Sequence, residues 1–116
     1  MTIRLALIFL AAAILVGCSA GADATKYRQT WPKGYGETTC QDWFENMTDD
    51  QRRVAAADML YVARKKDGAQ ALPSDELVAT FALDLSDICH APAGETGSIG
   101  DIGALTYLAY PEKFKP

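Results

Sequence analysis

The chain has 116 residues, of which 49% are hydrophobic and 22% are charged, and its formal net charge is −4 at pH 7. This length suits a single small domain. Because the chain is acidic, its charge does not favour phosphate backbones, and no nucleic-acid partner is expected.

The amino-terminal segment has the layout of an export signal. Arg4 is followed by 12 apolar residues, from Leu5 to Val16, and then by Gly17 and Cys18. A helix that spans a membrane needs roughly 20 apolar residues, so a signal is a better interpretation than an uncleaved anchor. An ordinary signal peptide is the main alternative to the lipoprotein signal described next.

The run Leu15-Val16-Gly17-Cys18 resembles the lipobox of bacterial lipoprotein precursors. This resemblance implies a signal peptide over residues 1–17 and a mature protein that starts at a lipidated Cys18. Acyl chains such as palmitate would then hold the protein on the outer face of the bacterial cell membrane, and two or more of them give stable anchoring. Arg4 is the only charged residue of the signal, so its removal changes the net charge from −4 to −5.

Residues 18–38 are predicted to form a tether, because they show neither helical nor strand periodicity and contain Pro32, Gly34 and Gly36. Aromatic and basic residues alternate within it: Tyr27, Trp31 and Tyr35 with Lys26, Arg28 and Lys33. This combination can lie at a lipid headgroup layer, stack on sugar rings or fold back on the domain. The helical domain is predicted to cover residues 39–116.

Two helices are predicted directly after the tether. Thr39 can cap the first helix. Its apolar stripe consists of Cys40, Trp43, Phe44 and Met47. Thr48 can cap the second helix, with Gln51 at the capping-box position, and this helix is expected to run to about Lys66 and to end at Gly68.

The second helix carries apolar residues on two faces. One broad face consists of Ala55, Ala56, Met59, Leu60, Val62 and Ala63. Val54, Ala57 and Tyr61 lie on the other side. A neighbouring helix can cover this second face, or it can remain exposed as a candidate partner surface.

Two further helices complete the prediction. Ser74 caps the third helix, which runs to Cys89. Ser98 can cap the fourth helix, which runs from Ile99 to about Tyr110, where Pro111 stops it. This last helix contains Gly100 and Gly103, which weaken it, so it should need packing against the rest of the domain. The spacing from Gly100 to Ala104 is interpreted as a close approach between helices.

Cys40 and Cys89 are predicted to form a disulfide. With Cys18 assigned to the lipid, they remain as an even pair in an exported and oxidising compartment. Both lie on the apolar faces of their helices, so packing of those faces can bring the sulfurs together. A closed loop of about 50 residues is worth up to about 4 kcal/mol in the chain-entropy model.

The predicted fold is therefore a small all-α domain of four helices with one disulfide. The run Thr39-Cys40-Gln41-Asp42-Trp43-Phe44, the alanine-rich helix after it and Cys89 at the end of a later helix resemble the small periplasmic acid-stress chaperones of the Hde type. The resemblance covers about residues 38–90. It implies a helical, disulfide-bonded fold and a chaperone that opens at low pH to bind unfolded clients.

The sequence offers few candidate catalytic or metal-ligating residues. His90 is the only histidine, and it stands next to a cysteine that is expected to be disulfide-bonded, so neither a metal site nor a Cys-His catalytic site is predicted. The carboxylate pairs Asp42 with Glu45 and Asp84 with Asp87 are expected to be solvated charges on helix surfaces. No enzymatic activity and no cofactor are predicted.

The sequence as a whole predicts a lipid-anchored, non-enzymatic protein-binding module of the bacterial cell envelope. Its partner would be another envelope protein or an unfolded client. Two more specific alternatives are an acid-stress chaperone and a superinfection-exclusion lipoprotein that blocks phage DNA entry.

Overall fold

A computed structural model describes residues 28–116 of the chain. The predicted signal peptide over residues 1–17, Cys18 and the tether up to Tyr27 lie outside the described residues. No helix among the described residues is both long enough and apolar enough to cross a lipid bilayer.

The described part of the chain is all-α, as predicted. It contains α1 (Cys40–Glu45), α2 (Asp49–Lys66), α3 (Asp75–His90), α4 (Ile99–Ala109) and α5 (Pro111–Phe114). Two 3-10 helices, Tyr35–Glu37 and Pro92–Glu95, and one antiparallel bridge between Thr39 and Ser98 complete it. The fifth helix exceeds the expected four, because Pro111 not only follows α4 but also starts α5 at a position where no backbone N–H is needed.

Side-chain caps explain where the long helices begin. In α1 to α4, the residue before the helix accepts a hydrogen bond from the backbone N–H of the third helical residue; these capping residues are Thr39, Thr48, Ser74 and Ser98. Each of them was predicted as a cap. Such a bond needs only four consecutive residues, which is why it can be identified without knowledge of the tertiary structure.

Gly68 ends α2, as predicted. Its φ is +102°, a conformation that favours glycine. The Gly68 N–H donates to the Lys65 carbonyl, and the Ala69 N–H donates to the Arg64 carbonyl. This pair of bonds is a Schellman motif, which satisfies carbonyls that the helix itself leaves without partners.

The core lies where α2, α3 and α4 pack together, and α1 is fastened to α3. The largest fully buried side chains include Trp43, Leu60, Phe81, Leu85, Ile99, Ile102 and Phe114. The predicted disulfide is present: the Cys40 and Cys89 sulfurs are 2.06 Å apart, and the two Cα atoms are 5.4 Å apart. It joins the start of α1 to the end of α3.

The second apolar face of α2 is not an exposed patch. Val54 and Ala57 have only 1% and 2% of their surfaces exposed, and Tyr61 is half-buried beneath the Lys65 ammonium, which lies 5.7 Å from its ring centre. Because α2 packs against both α3 and α4, its neighbours cover more than one stripe of its surface. Val54 and Ala57 are therefore core residues and not part of an accessible partner surface.

The folded domain begins before Thr39. Thr38 is fully buried, its carbonyl accepts the Ile99 N–H at 2.8 Å, and its hydroxyl accepts the Trp31 indole N–H at 2.8 Å. The Gln29 side chain donates to the Gln51 carbonyl at 3.0 Å. Residues 29–38 therefore pack on the domain, and the part of the predicted tether that the structure describes is not a free linker.

Candidate functional site: an apolar groove between α2 and α4

An open groove of about 550 Å³ runs between α2 and α4. At one end Tyr35 contacts both helices: its hydroxyl donates to the Asp58 carboxylate at 2.6 Å, and its carbonyl lies beside Gly100. At the other end the Tyr107 hydroxyl donates to Asp67 at 2.6 Å. The two helices therefore run parallel, and the groove follows them for about two turns, or roughly 12 Å.

Two glycines of α4 allow its close approach to neighbouring segments. A Cβ atom on Gly103 would lie 2.8 Å from the Met59 sulfur, and one on Gly100 would lie 3.3 Å from the Tyr35 carbonyl oxygen. The predicted close approach between helices is present, between α4 and α2. It occurs at Gly103, whereas the sequence pointed to Ala104, which is exposed. Met59 is partly buried and Gly103 is buried, and both line the groove.

Exposed apolar side chains border the groove. Val62 on α2 is 54% exposed and Leu108 on α4 is 65% exposed, and both line it. Ala63 and Ala104 continue the apolar lining. The groove therefore presents hydrophobic surface that no other segment of residues 28–116 covers.

The groove's tyrosine hydroxyls are paired with carboxylates. Burial raises the pKa of Tyr35, and the hydrogen bond to Asp58 raises it further. Burial likewise raises the pKa of Asp58, although the hydrogen bond from Tyr35 opposes this shift. Burial and the bond to Asp67 raise the pKa of Tyr107 to about 12. Both hydroxyls therefore stay protonated at neutral pH and act as hydrogen-bond donors.

Lys66 and Lys115 supply positive charge at the Tyr107 end of the groove. Lys66 is the last residue of α2, and Lys115 follows α5. Neither ammonium group has a hydrogen-bond or ion-pair partner among residues 28–116. Asp67 also lines this end and accepts the Tyr107 hydroxyl, so two ammonium groups and one carboxylate lie at this end of the groove.

The residues that the sequence singled out lie elsewhere. Cys40 and Cys89 are bonded to each other, and the His90 ring stacks on Phe44 with ring centres 4.2 Å apart. Val54 and Ala57 are in the core, and Tyr61 does not line the groove. Within the described range, no three His, Cys, Asp or Glu residues are arranged to hold a metal ion.

Two of the carboxylates expected to be solvated have structural roles. Asp42 is only 7% exposed and accepts bonds from the Thr39 N–H and the Lys33 ammonium, both at 3.2 Å. Asp84 is half-buried and pairs with Lys113 at 2.9 Å. Their helix positions alone do not reveal these partners, because Lys33 and Lys113 belong to other segments.

The groove itself was not predicted. The sequence placed Met59 and Val62 on the broad apolar face of the second helix but did not indicate that Val62 stays exposed, and it assigned no structure to the residues after Pro111. The glycines of α4 were the available signal, since they marked a close approach without identifying the helix opposite.

No family model, no curated protein and no solved structure matches this chain. The similarity to lipoprotein precursors and to Hde-type chaperones therefore stays a prediction from the sequence.

Proposed function

We propose that this protein is a lipid-anchored module of the bacterial cell envelope that binds another protein through the groove between α2 and α4. The observation that carries the proposal is the exposed apolar border of the groove, formed by Val62 and Leu108. Isolated exposed apolar residues are common on protein surfaces, whereas an apolar groove with exposed sides is typical of a binding surface.

The make-up of the groove supports binding to a protein. Its lining is mainly apolar, and the Met59 thioether can adapt its shape to different side chains. Its hydroxyls already have partners, since Tyr35 donates to Asp58 and Tyr107 donates to Asp67. These bonds keep the polar groups in place while the apolar surface makes contact.

The position at which the folded domain starts limits the distance between the groove and the membrane. Gln29 is bonded to the domain, so about 10 residues separate it from Cys18. Even fully extended, the 11 residue steps from Cys18 to Gln29 span at most about 40 Å. The Gln29 side-chain amide also donates to the Tyr35 hydroxyl at 3.0 Å, so Gln29 lies at the Tyr35 end of the groove. If Cys18 carries the lipid, that end of the groove lies within about this distance of the membrane surface, and the partner is an envelope protein that reaches it.

Two leucine variants test the groove. Leu108 borders it and is 65% exposed, whereas Leu83 on α3 is 68% exposed and does not line it. Leu108→Glu should reduce recovery of the natural partner at least tenfold, because burying an unpaired charge in an apolar contact is costly. Leu83→Glu should leave recovery unchanged.

The measurement is quantitative mass spectrometry of proteins that co-purify with the anchored chain from its own membrane. Thermal unfolding of both variants checks that neither has lost its fold. Equal recovery of every co-purifying protein by the two variants would contradict the proposal.

A further inference from the structure

We propose that the occupant of the groove is an amphipathic helix of the partner protein that lies antiparallel to α2 and α4, with an acidic first turn next to Lys66 and Lys115. This inference rests on the proposed function and specifies the partner segment. It follows from the shape of the groove, from the charges at its two ends and from the direction of the helices that form it.

The shape of the groove fits a helix. Two parallel helices form its sides for about 12 Å, which is the length of two helical turns. A third helix can lay one apolar face into such a groove, with side chains at positions i, i+3, i+4 and i+7 in contact. Because Val62 and Leu108 remain largely exposed, the groove is open along its length and not an enclosed cavity for a small molecule.

The charges at the two ends differ in sign. Lys66 and Lys115 stand at one end together with Asp67, which leaves an excess of one positive charge there, and Asp58 stands at the other end. Neither lysine has an ion-pair partner among the described residues. Natural helices commonly carry acidic residues in the first turn and basic residues in the last. A helix with that pattern matches the groove only when its amino-terminal end faces the two lysines.

The helix dipoles favour the same orientation. The carboxyl-terminal ends of α2 and α4, which carry partial negative charge, lie at the lysine end of the groove. An antiparallel helix brings its partially positive amino-terminal end to that position. The acidic side chains of its first turn then reach the Lys66 and Lys115 ammonium groups.

Two designed peptides test the orientation. Each has about 15 residues, which is enough to retain some helix in water, and carries leucines along one face. One has glutamates in its first turn and lysines in its last, and the other has these two sets exchanged. Binding is measured by fluorescence anisotropy to the full chain that carries Cys18→Ser, which removes the predicted site of lipid attachment.

The peptide with glutamates in its first turn, called the acid-first peptide, should bind more tightly than the peptide with the two sets exchanged, called the exchanged peptide. The two peptides also differ in intrinsic helix content. The quantity to compare is therefore the affinity of the acid-first peptide divided by that of the exchanged peptide, measured for the natural chain and for each variant. Joint replacement Lys66→Gln and Lys115→Gln should lower that ratio about fivefold, as expected for the loss of two partly exposed ion pairs. Lys65→Gln, which removes a neighbouring lysine that does not line the groove, should leave the ratio unchanged.

The location of the peptide is checked with the leucine variants: Leu108→Glu should weaken both peptides, and Leu83→Glu should weaken neither. An affinity ratio that is the same with and without the two lysines would overturn the inference. The inference would also be overturned if neither peptide bound while dodecanoate did. It would be overturned as well if sedimentation experiments showed that a second copy of the chain occupies the groove.

These results separate the inference from the proposed function. If the peptides fail while Leu108→Glu still abolishes recovery of the natural partner, the groove binds a protein in another way and only the inference is wrong. If the peptides bind as expected while recovery of the natural partner is unaffected by Leu108→Glu, the proposed function is wrong.

Discussion

Asp42 connects the start of α1 to the segment that precedes it. Its carboxylate accepts hydrogen bonds from the Asn46 side chain, the Thr39 backbone N–H and the Lys33 ammonium, which together lower its pKa to about 2. Since this pKa is below the value of 3.8 for a free side chain, the folded state favours the ionised form. The resulting stabilisation is present at neutral pH and is lost as the pH falls from about 4 to about 2.

Asp42→Asn should therefore lower the stability of the domain near neutral pH, and its difference from the natural chain should shrink as the pH falls below about 4 and be mostly lost below about pH 2. Urea unfolding at a series of pH values measures this. Asp101→Asn alters an exposed first-turn acid in α4 and should give a smaller difference near neutral pH. A difference for Asp42→Asn that stays constant from neutral pH to about pH 2 would contradict the assigned role.

At the scale of elements, α5 fastens the carboxyl end of the chain to two helices. The Phe114 ring is fully buried and meets the Phe81 ring edge-on, with ring centres 5.1 Å apart. The Arg64 guanidinium donates to the Phe114 carbonyl, and Lys113 pairs with Asp84 of α3. Because Lys115 follows directly, α5 also sets the position of one of the two lysines at the end of the groove.

Phe114→Ala should destabilise the domain by about 3–5 kcal/mol, since it removes a fully buried aromatic ring and leaves a cavity against Phe81. Glu112→Ala changes an exposed residue of the same helix and should have an effect within about 0.5 kcal/mol. Urea unfolding measures both variants. Similar small effects from the two would mean that α5 does not hold the core together.

At the scale of the whole molecule, the three cysteines are predicted to have two separate roles. The Cys40–Cys89 bond closes a sequence separation of 49 residues and holds α1 against α3. Cys18, outside the described residues, is the predicted site of lipid attachment. The two roles concern different properties, namely the stability of the domain and the location of the protein.

Cys18→Ser should release the protein from the membrane fraction and leave the unfolding of its domain unchanged. Joint replacement Cys40→Ser and Cys89→Ser should leave the protein on the membrane and destabilise the domain by up to about 4 kcal/mol. Cell fractionation, intact-mass analysis and urea unfolding measure these effects. If both proteins were mislocalised, or both were equally destabilised, the division of roles would be wrong.

The fold class, the starts of α1 to α4 and the disulfide could all be predicted from the amino-acid sequence. Thr39, Thr48, Ser74 and Ser98 act through bonds to residues three positions away, and Gly68 acts through its own φ, so these features depend on local chemistry. The Cys40–Cys89 pairing was predicted because Cys18 was assigned to the lipid and because apolar periodicity placed the other two cysteines on the apolar faces of their helices.

Which apolar residues are covered depends on how the helices pack against one another, and the sequence did not predict it. Val54 and Ala57 are buried because α2 has neighbours on two sides, whereas Val62 stays exposed at the border of the groove. Residues 29–38 and Phe114 join the domain through contacts with residues distant in sequence, which have no periodic signal in the sequence. The groove has the same origin, since it exists only where α4 lies parallel to α2 with Gly103 against Met59.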